Sequence, residues 1–63
     1  MNTDSEFLVT AQCYEKNDKE KQTILMHDTF VARDSQEAQQ LFQNRFSNTH
    51  EIVQIYSALM INS

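Results

Sequence analysis

The hydrophobic positions along this chain change period twice, and those changes mark out four elements. From Glu6 to Glu15 the residues alternate, with Phe7, Val9, Ala11 and Cys13 on one face and Leu8, Thr10, Gln12 and Tyr14 on the other. That two-residue period predicts a strand. Gln22 to Ala32 is rich in β-branched and aromatic residues and predicts a second strand. Between them, Lys16-Asn17-Asp18-Lys19-Glu20-Lys21 is a charged run whose Asn-Asp centre is the best turn signal in the chain. After Arg33 the period becomes three and four: Ala38, Leu41, Phe42 and Phe46 form an apolar stripe, and Gln36, Gln39, Gln40 and Gln43 face away. Asp34 is a good N-cap, Glu37 completes a capping-box pattern, and both acids sit at the positive end of the helix dipole. The spacing therefore predicts a short amphipathic helix from Ser35 to Ser47. Asn48-Thr49-His50 supplies a turn, and Glu51 to Ile61 predicts a third strand. Strict alternation places Val53, Ile55, Leu59 and Ile61 on one face of it and Ile52, Tyr56, Ala58 and Met60 on the other, so both faces are apolar.

Pairing the first two strands as an antiparallel hairpin centred in the charged loop puts Cys13 near Ile24, Ala11 near Met26, Val9 near Asp28 and Phe7 near Phe30. The apolar faces then coincide, except that Asp28 points inward; a bulge near His27 or a position at the rim of the core would relieve it. A right-handed crossover through the helix returns the third strand beside the first. The expected fold class is α+β, a ββαβ chain with a three-stranded antiparallel sheet in the order 2-1-3 and one helix on one face. Met1 to Ser5 are polar and expected to fray, leaving residues 6–63 as a single domain.

One helix covers one sheet face, and the sequence holds nothing to cover the other. That face is expected to carry Leu8, Tyr14, Leu25, His27, Val31, Tyr56 and Met60, with Thr10, Thr29 and Ala58 among them. A contiguous apolar patch on so small a sheet marks an interaction surface, either of a homodimer packed sheet on sheet or of a protein partner. Strand addition at a sheet edge is a second route.

Composition sharpens the case for association. A chain of 63 residues buries only ~60% of its unfolded surface and reaches a net stability of roughly 3–5 kcal/mol from one core. The single cysteine, Cys13, forms no internal disulfide, and no Cys/His cluster has zinc spacing. Oligomerisation is the remaining common remedy. The chain has no glycine and no proline, which argues against glycine-rich phosphate loops and nucleophile elbows. No window has the length of a membrane span, and Met1 to Glu6 lacks the basic and apolar regions of a signal peptide, so a cytoplasmic location is expected. Nine acidic residues against five basic ones give a net charge of −4. That balance disfavours nucleic acid and anionic membranes, and fits either plain solubility or docking on a basic partner surface.

Candidate chemistry is sparse. Cys13, His27 and Asp28 are the one trio with the types of a nucleophile, base and orienting acid, yet alternation sets Cys13 and His27 on opposite faces. A small buried thiol is the expected role for Cys13. His27 and His50 lie on different elements without a third ligand, so neither a metal nor a cofactor is expected. Gln36, Gln39, Gln40, Gln43 and Asn44 make a neutral polar helix face, either solvated or a hydrogen-bonding contact surface. Glu15, Asp18 and Glu20 are offset by Lys16, Lys19 and Lys21, which leaves Glu6, Asp28, Asp34, Glu37 and Glu51 as unpaired acids for an acidic rim.

Ala32-Arg33-Asp34-Ser35-Gln36-Glu37-Ala38, with an alanine closing a strand, an Asp cap and Glu-Ala opening a helix, resembles the strand-to-helix junction of many small single-domain proteins. With its length and ββαβ order, the chain is similar in style to small phage-encoded accessory proteins, including anti-CRISPR-type inhibitors of host defence. The resemblance implies a non-enzymatic inhibitor acting by steric occlusion in the host cytoplasm, and carries no binding residue with it. Two other readings are a small-ligand or catalytic site at a dimer interface lined by His27, Tyr14 and Tyr56, and nucleic-acid binding through Lys16, Lys19 and Lys21.

Overall fold

A computed structural model describes residues 4–62 of the chain. Three strands and one helix are arranged in the order β1 (Ser5–Glu15), β2 (Ile24–Ala32), α1 (Ser35–Phe46) and β3 (His50–Asn62). The strands form one antiparallel sheet in the order β2-β1-β3, the α+β ββαβ arrangement expected from the pattern. Met1 to Thr3 of the stretch expected to fray lie outside the described residues, whereas Ser5 already belongs to β1, paired with Ala32.

The β1–β2 register results from matching apolar faces. Cys13 opposes Ile24, Ala11 opposes Met26, Val9 opposes Asp28 and Phe7 opposes Phe30, without a register shift. Asp28 is therefore accommodated at the rim and not by a bulge. Its Oδ2 lies 3.5 Å from Nε of Arg45 on the helix, and its Oδ1 accepts the backbone N–H of Thr29 at 2.8 Å. The turn joining the two strands is organised by Asp18, whose carboxylate oxygens accept from Glu20 N at 3.0 Å and Gln22 N at 3.1 Å. With no glycine to use, Lys21 takes the left-handed backbone region at φ 53°, at a cost of roughly 1–2 kcal/mol.

The helix starts where the acids place it. Asp34 Oδ1 accepts Glu37 N–H at 2.8 Å, and Glu37 Oε1 accepts Arg33 N–H at 2.8 Å, one residue before the cap. At the other end Ser47 N–H donates to Gln43 O at 2.9 Å. The inward stripe works as the period implies: Ala38 and Phe42 are fully buried, and Leu41 and Phe46 are partly buried against the core. Phe42 packs against Phe46 in a tilted pair with ring centroids 4.8 Å apart and meets Phe30 edge-on at 6.2 Å. Beneath them lie Phe7, Val9, Ala11 and Cys13 of β1, with Ala32 closing β2.

β3 departs from simple alternation. Its partners on β1 shift register between Glu6 and Phe7, between Thr10 and Ala11, and between Gln12 and Cys13, leaving Ile61, Tyr56 and Val53 as extra residues. Each bulge flips the parity of the residues beyond it. Ile52 and Ala58 consequently sit opposite Cys13 and Val9 and pack on the core, contrary to the alternation reading, while Leu59 lies opposite Leu8 on the far face. Met60, assigned by alternation to the far face, stands opposite Phe7 and so on the helix side, 60% exposed where the helix does not reach.

The core is thin. The chain extends 47 × 17 × 13 Å with a radius of gyration of 12.5 Å, against ~11 Å for a compact domain of this length. Its accessible surface of 4591 Å² exceeds the ~4,200 Å² typical of a folded monomer of its mass. Phe42→Ala is accordingly expected to cost about 3–5 kcal/mol, comparable to the whole stability of the chain. A circular-dichroism melt should find the variant largely unfolded at room temperature, while Gln40→Ala on the exposed helix face keeps the parental midpoint. Asp34→Ala, which leaves Glu37 N–H without its acceptor, should lower stability by about 1 kcal/mol in the same melt.

Candidate functional site

The sheet has one face under the helix and one bare. On the bare face β2 contributes Leu25, His27, Thr29 and Val31, and β1 contributes Glu6, Leu8, Thr10, Gln12 and Tyr14. β3 adds Leu59 and Ser57, opposite Leu8 and Thr10, and the bulged Tyr56. Its apolar groups are well exposed: Leu25 58%, Tyr56 52%, Leu59 60% and Val31 65%. Leu8 and Tyr14 on the central strand are half-buried by their neighbours. Of the residues expected on this face, Leu8, Tyr14, Leu25, His27, Val31 and Tyr56 are brought together; Met60 is not. Leu59 belongs to the face although parity counted without bulges assigns it to the core.

Four polar side chains of the bare face, those of Thr10, His27, Gln12 and Tyr56, are paired across the strands. Thr10 Oγ1 lies 3.1 Å from His27 Nδ1. Gln12 reaches to both sides of the central strand, donating from Nε2 to Thr23 Oγ1 at 3.0 Å and accepting at Oε1 from Tyr56 O–H at 2.9 Å. Charge is confined to the ends: Glu6 marks one end and Glu51, opposite Tyr14, the other. Between them every residue on the face is formally neutral at pH 7 with histidine uncharged.

The expected acidic rim is not a set of unpaired acids. Asp28 is paired with Arg45, Asp34 caps the helix, and Glu37 binds both the backbone and, at 3.4 Å, the Nε of Arg33. These carboxylates hold local structure together, since each answers an N–H or cation placed beside it. The helix amides remain on the outer surface, with Gln36, Gln40, Gln43 and Asn44 exposed and Gln39 half-buried. Gln36 and Gln40 line an open cleft of about 280 Å³ with Arg33, Asp34 and Glu37, small for a ligand site. A second of about 250 Å³ is lined by Lys16, Gln43, Ser47, His50, Glu51 and Ile52.

The possible catalytic trio is not assembled. Cys13 is fully buried on the helix side, and His27 lies on the bare face opposite Thr10. Burial pushes the Cys13 thiol above its ordinary pKa. His50 meets Thr49 Oγ1 at 2.8 Å and the edge of Phe46, a structural setting distant in the fold from His27. Among the described residues no group of three His, Cys, Asp or Glu side chains converges as a metal site. Lys16, Lys19 and Lys21 are exposed at the hairpin tip beside Glu15 and Glu20. Among the described residues no helix is long and apolar enough to cross a membrane.

The fold thus defines a one-helix, three-stranded α+β domain with one uncovered sheet face. Comparison with models of protein families, with curated proteins and with solved structures finds no match to the chain. The Cys13 thiol should resist an aromatic disulfide reagent in the native state and react stoichiometrically once the chain is unfolded in denaturant. Because its folded pKa is raised, the stability this group contributes is full below the ordinary thiol pKa and falls as the pH rises above it. Immediate labelling of the native protein at neutral pH would show the β1–helix contact to be open.

Proposed function

We propose that this chain is a small non-enzymatic protein-binding module acting by stoichiometric contact. The observation that carries the reading is the bare sheet face, rich in exposed apolar groups and free of formal charge between Glu6 and Glu51, with Thr10 paired to His27 and Gln12 to Tyr56. Covering such a face removes Leu25, Val31, Tyr56 and Leu59 from water without leaving Gln12 or Thr10 unsatisfied. Apolar contacts supply the affinity, and the acids Glu6 and Glu51 stay at the two ends of the contact. Steric occlusion is the consequence, since a bound slab 47 Å long masks the surface it lies on. The resemblance in size and element order to phage-encoded inhibitors agrees with that mode of action.

Capture from a cell lysate on the immobilised chain tests the reading. The parental protein should retain a protein in fixed stoichiometry, Leu25→Glu should retain at least about tenfold less, and Gln40→Glu on the helix should retain as much as the parent. Equal retention by Leu25→Glu, or loss with Gln40→Glu, would transfer the activity from the sheet to another surface and overturn the reading.

A further inference from the structure

The bare face and the two sheet edges differ in one respect that bears on the occupant of the face. Both edges are interrupted as templates for strand addition. On β2, the N–H of Thr29 is taken by Asp28, whose carboxylate is itself fixed by Arg45. On β3, three register shifts interrupt the regular ladder that an added strand would need. The face carries no such protection.

We propose that a second copy of this chain covers the bare face, sheet on sheet, about a two-fold axis through the row formed by Thr10, His27 and Ser57. Size permits it: strands about 36 Å long across a breadth of 17 Å give the face a footprint of about 600 Å², within reach of the ~800 Å² that each partner contributes to a standard interface. Charge supports it. Two chains of net charge −4 repel, and a formally neutral face is where they can meet without burying like charges together. The pattern is also self-matching. Thr10 stands opposite His27 on one side and Ser57 on the other, forming a polar central row. Leu8 and Leu59 lie to one side of that row, and Leu25 and Tyr56 to the other. A two-fold axis along the central strand sets Leu8 on Leu8 and Gln12 on Gln12, with His27 over Ser57.

This inference rests on the reading of the bare face as an interface, and the experiment separates the two. Light scattering over a micromolar dilution series should give twice the 7.4 kDa chain mass, with Leu25→Glu weakening the dimer about a hundredfold or more. Thr10→Cys, treated with a short bismaleimide, should yield a covalent dimer; Gln40→Cys on the helix and the parental chain, whose Cys13 is buried, should not. The cross-link reports on the face even if Leu25→Glu fails to fold. A folded single-chain mass throughout with no Thr10→Cys product overturns the dimer, as does cross-linking through Gln40→Cys. If that monomer still retains a partner that Leu25→Glu loses, the binding reading stands without the dimer.

Discussion

The structure depends on a mismatch of length between one helix and the sheet it covers. Twelve helical residues span about 18 Å at 1.5 Å each, whereas the eleven residues of β1 run about 36 Å at 3.3 Å each. A single helix can therefore seal only the middle of one face. Phe42, the largest fully buried side chain, fills that middle with Ala38 beside it, and Val9, Ala11 and Cys13 of the central strand lie fully buried on the same side. Beyond the reach of the helix, Ile24 and Met60 stay exposed on the helix side. The hydrophobic contribution is thus concentrated in a few contacts, while the backbone entropy of ordering long strands is incurred along their whole length. That imbalance makes the uncovered face energetically consequential.

The fold is legible in the sequence wherever the hydrophobic pattern is unambiguous. β1 alternates cleanly and its hairpin with β2 has matching apolar faces, so every pair from Phe7–Phe30 to Cys13–Ile24 can be read from the residues alone. The capping acids Asp34 and Glu37 fix the helix start to the residue. β3 is different, because a strand apolar on both faces gives no phase, and in a chain without glycine nothing marks the bulges at Val53, Tyr56 and Ile61. Simple alternation misplaces Ile52, Ala58, Leu59 and Met60 for that one reason. Asp28 is recognisable as an inward carboxylate but not as a paired one, since its partner Arg45 is seventeen positions along the chain on another element. Of the bare face, the β1 and β2 residues are legible and the β3 residues largely are not.

The absence of glycine shapes the loops in the same way. Turn formation falls to side chains that can replace a backbone partner, chiefly Asp18, which holds two amides of the hairpin tip. Lys21 then bears the left-handed geometry that glycine would adopt without steric conflict. At the other end of the molecule Thr49 closes the helix-to-strand turn, its backbone N–H and hydroxyl both donating to Phe46 O. These loops are held by hydrogen bonds at exposed positions, which contribute little beyond fixing direction. Stability must come from apolar burial, and the largest unburied reserve is the bare face.

Two modes of association are open to such a sheet, and they differ in whether they terminate. Pairing β2 of one copy with β3 of the next is heterologous and leaves a fresh edge at each step, the geometry of a fibre. Pairing face to face about a two-fold axis consumes the sticky surface on both copies and stops. The first route is hindered at Thr29, whose N–H is occupied by Asp28, a carboxylate at the rim of the core that also pairs with Arg45. The chain also accepts three interruptions in the β1–β3 ladder. The same devices also serve the helix side, since Arg45 ties the helix to β2 and the bulges turn Ile52 and Ala58 onto the core. A small domain with a long sheet and a bare apolar face gains from interrupted edges, because open-ended edge pairing is the mode they disfavour.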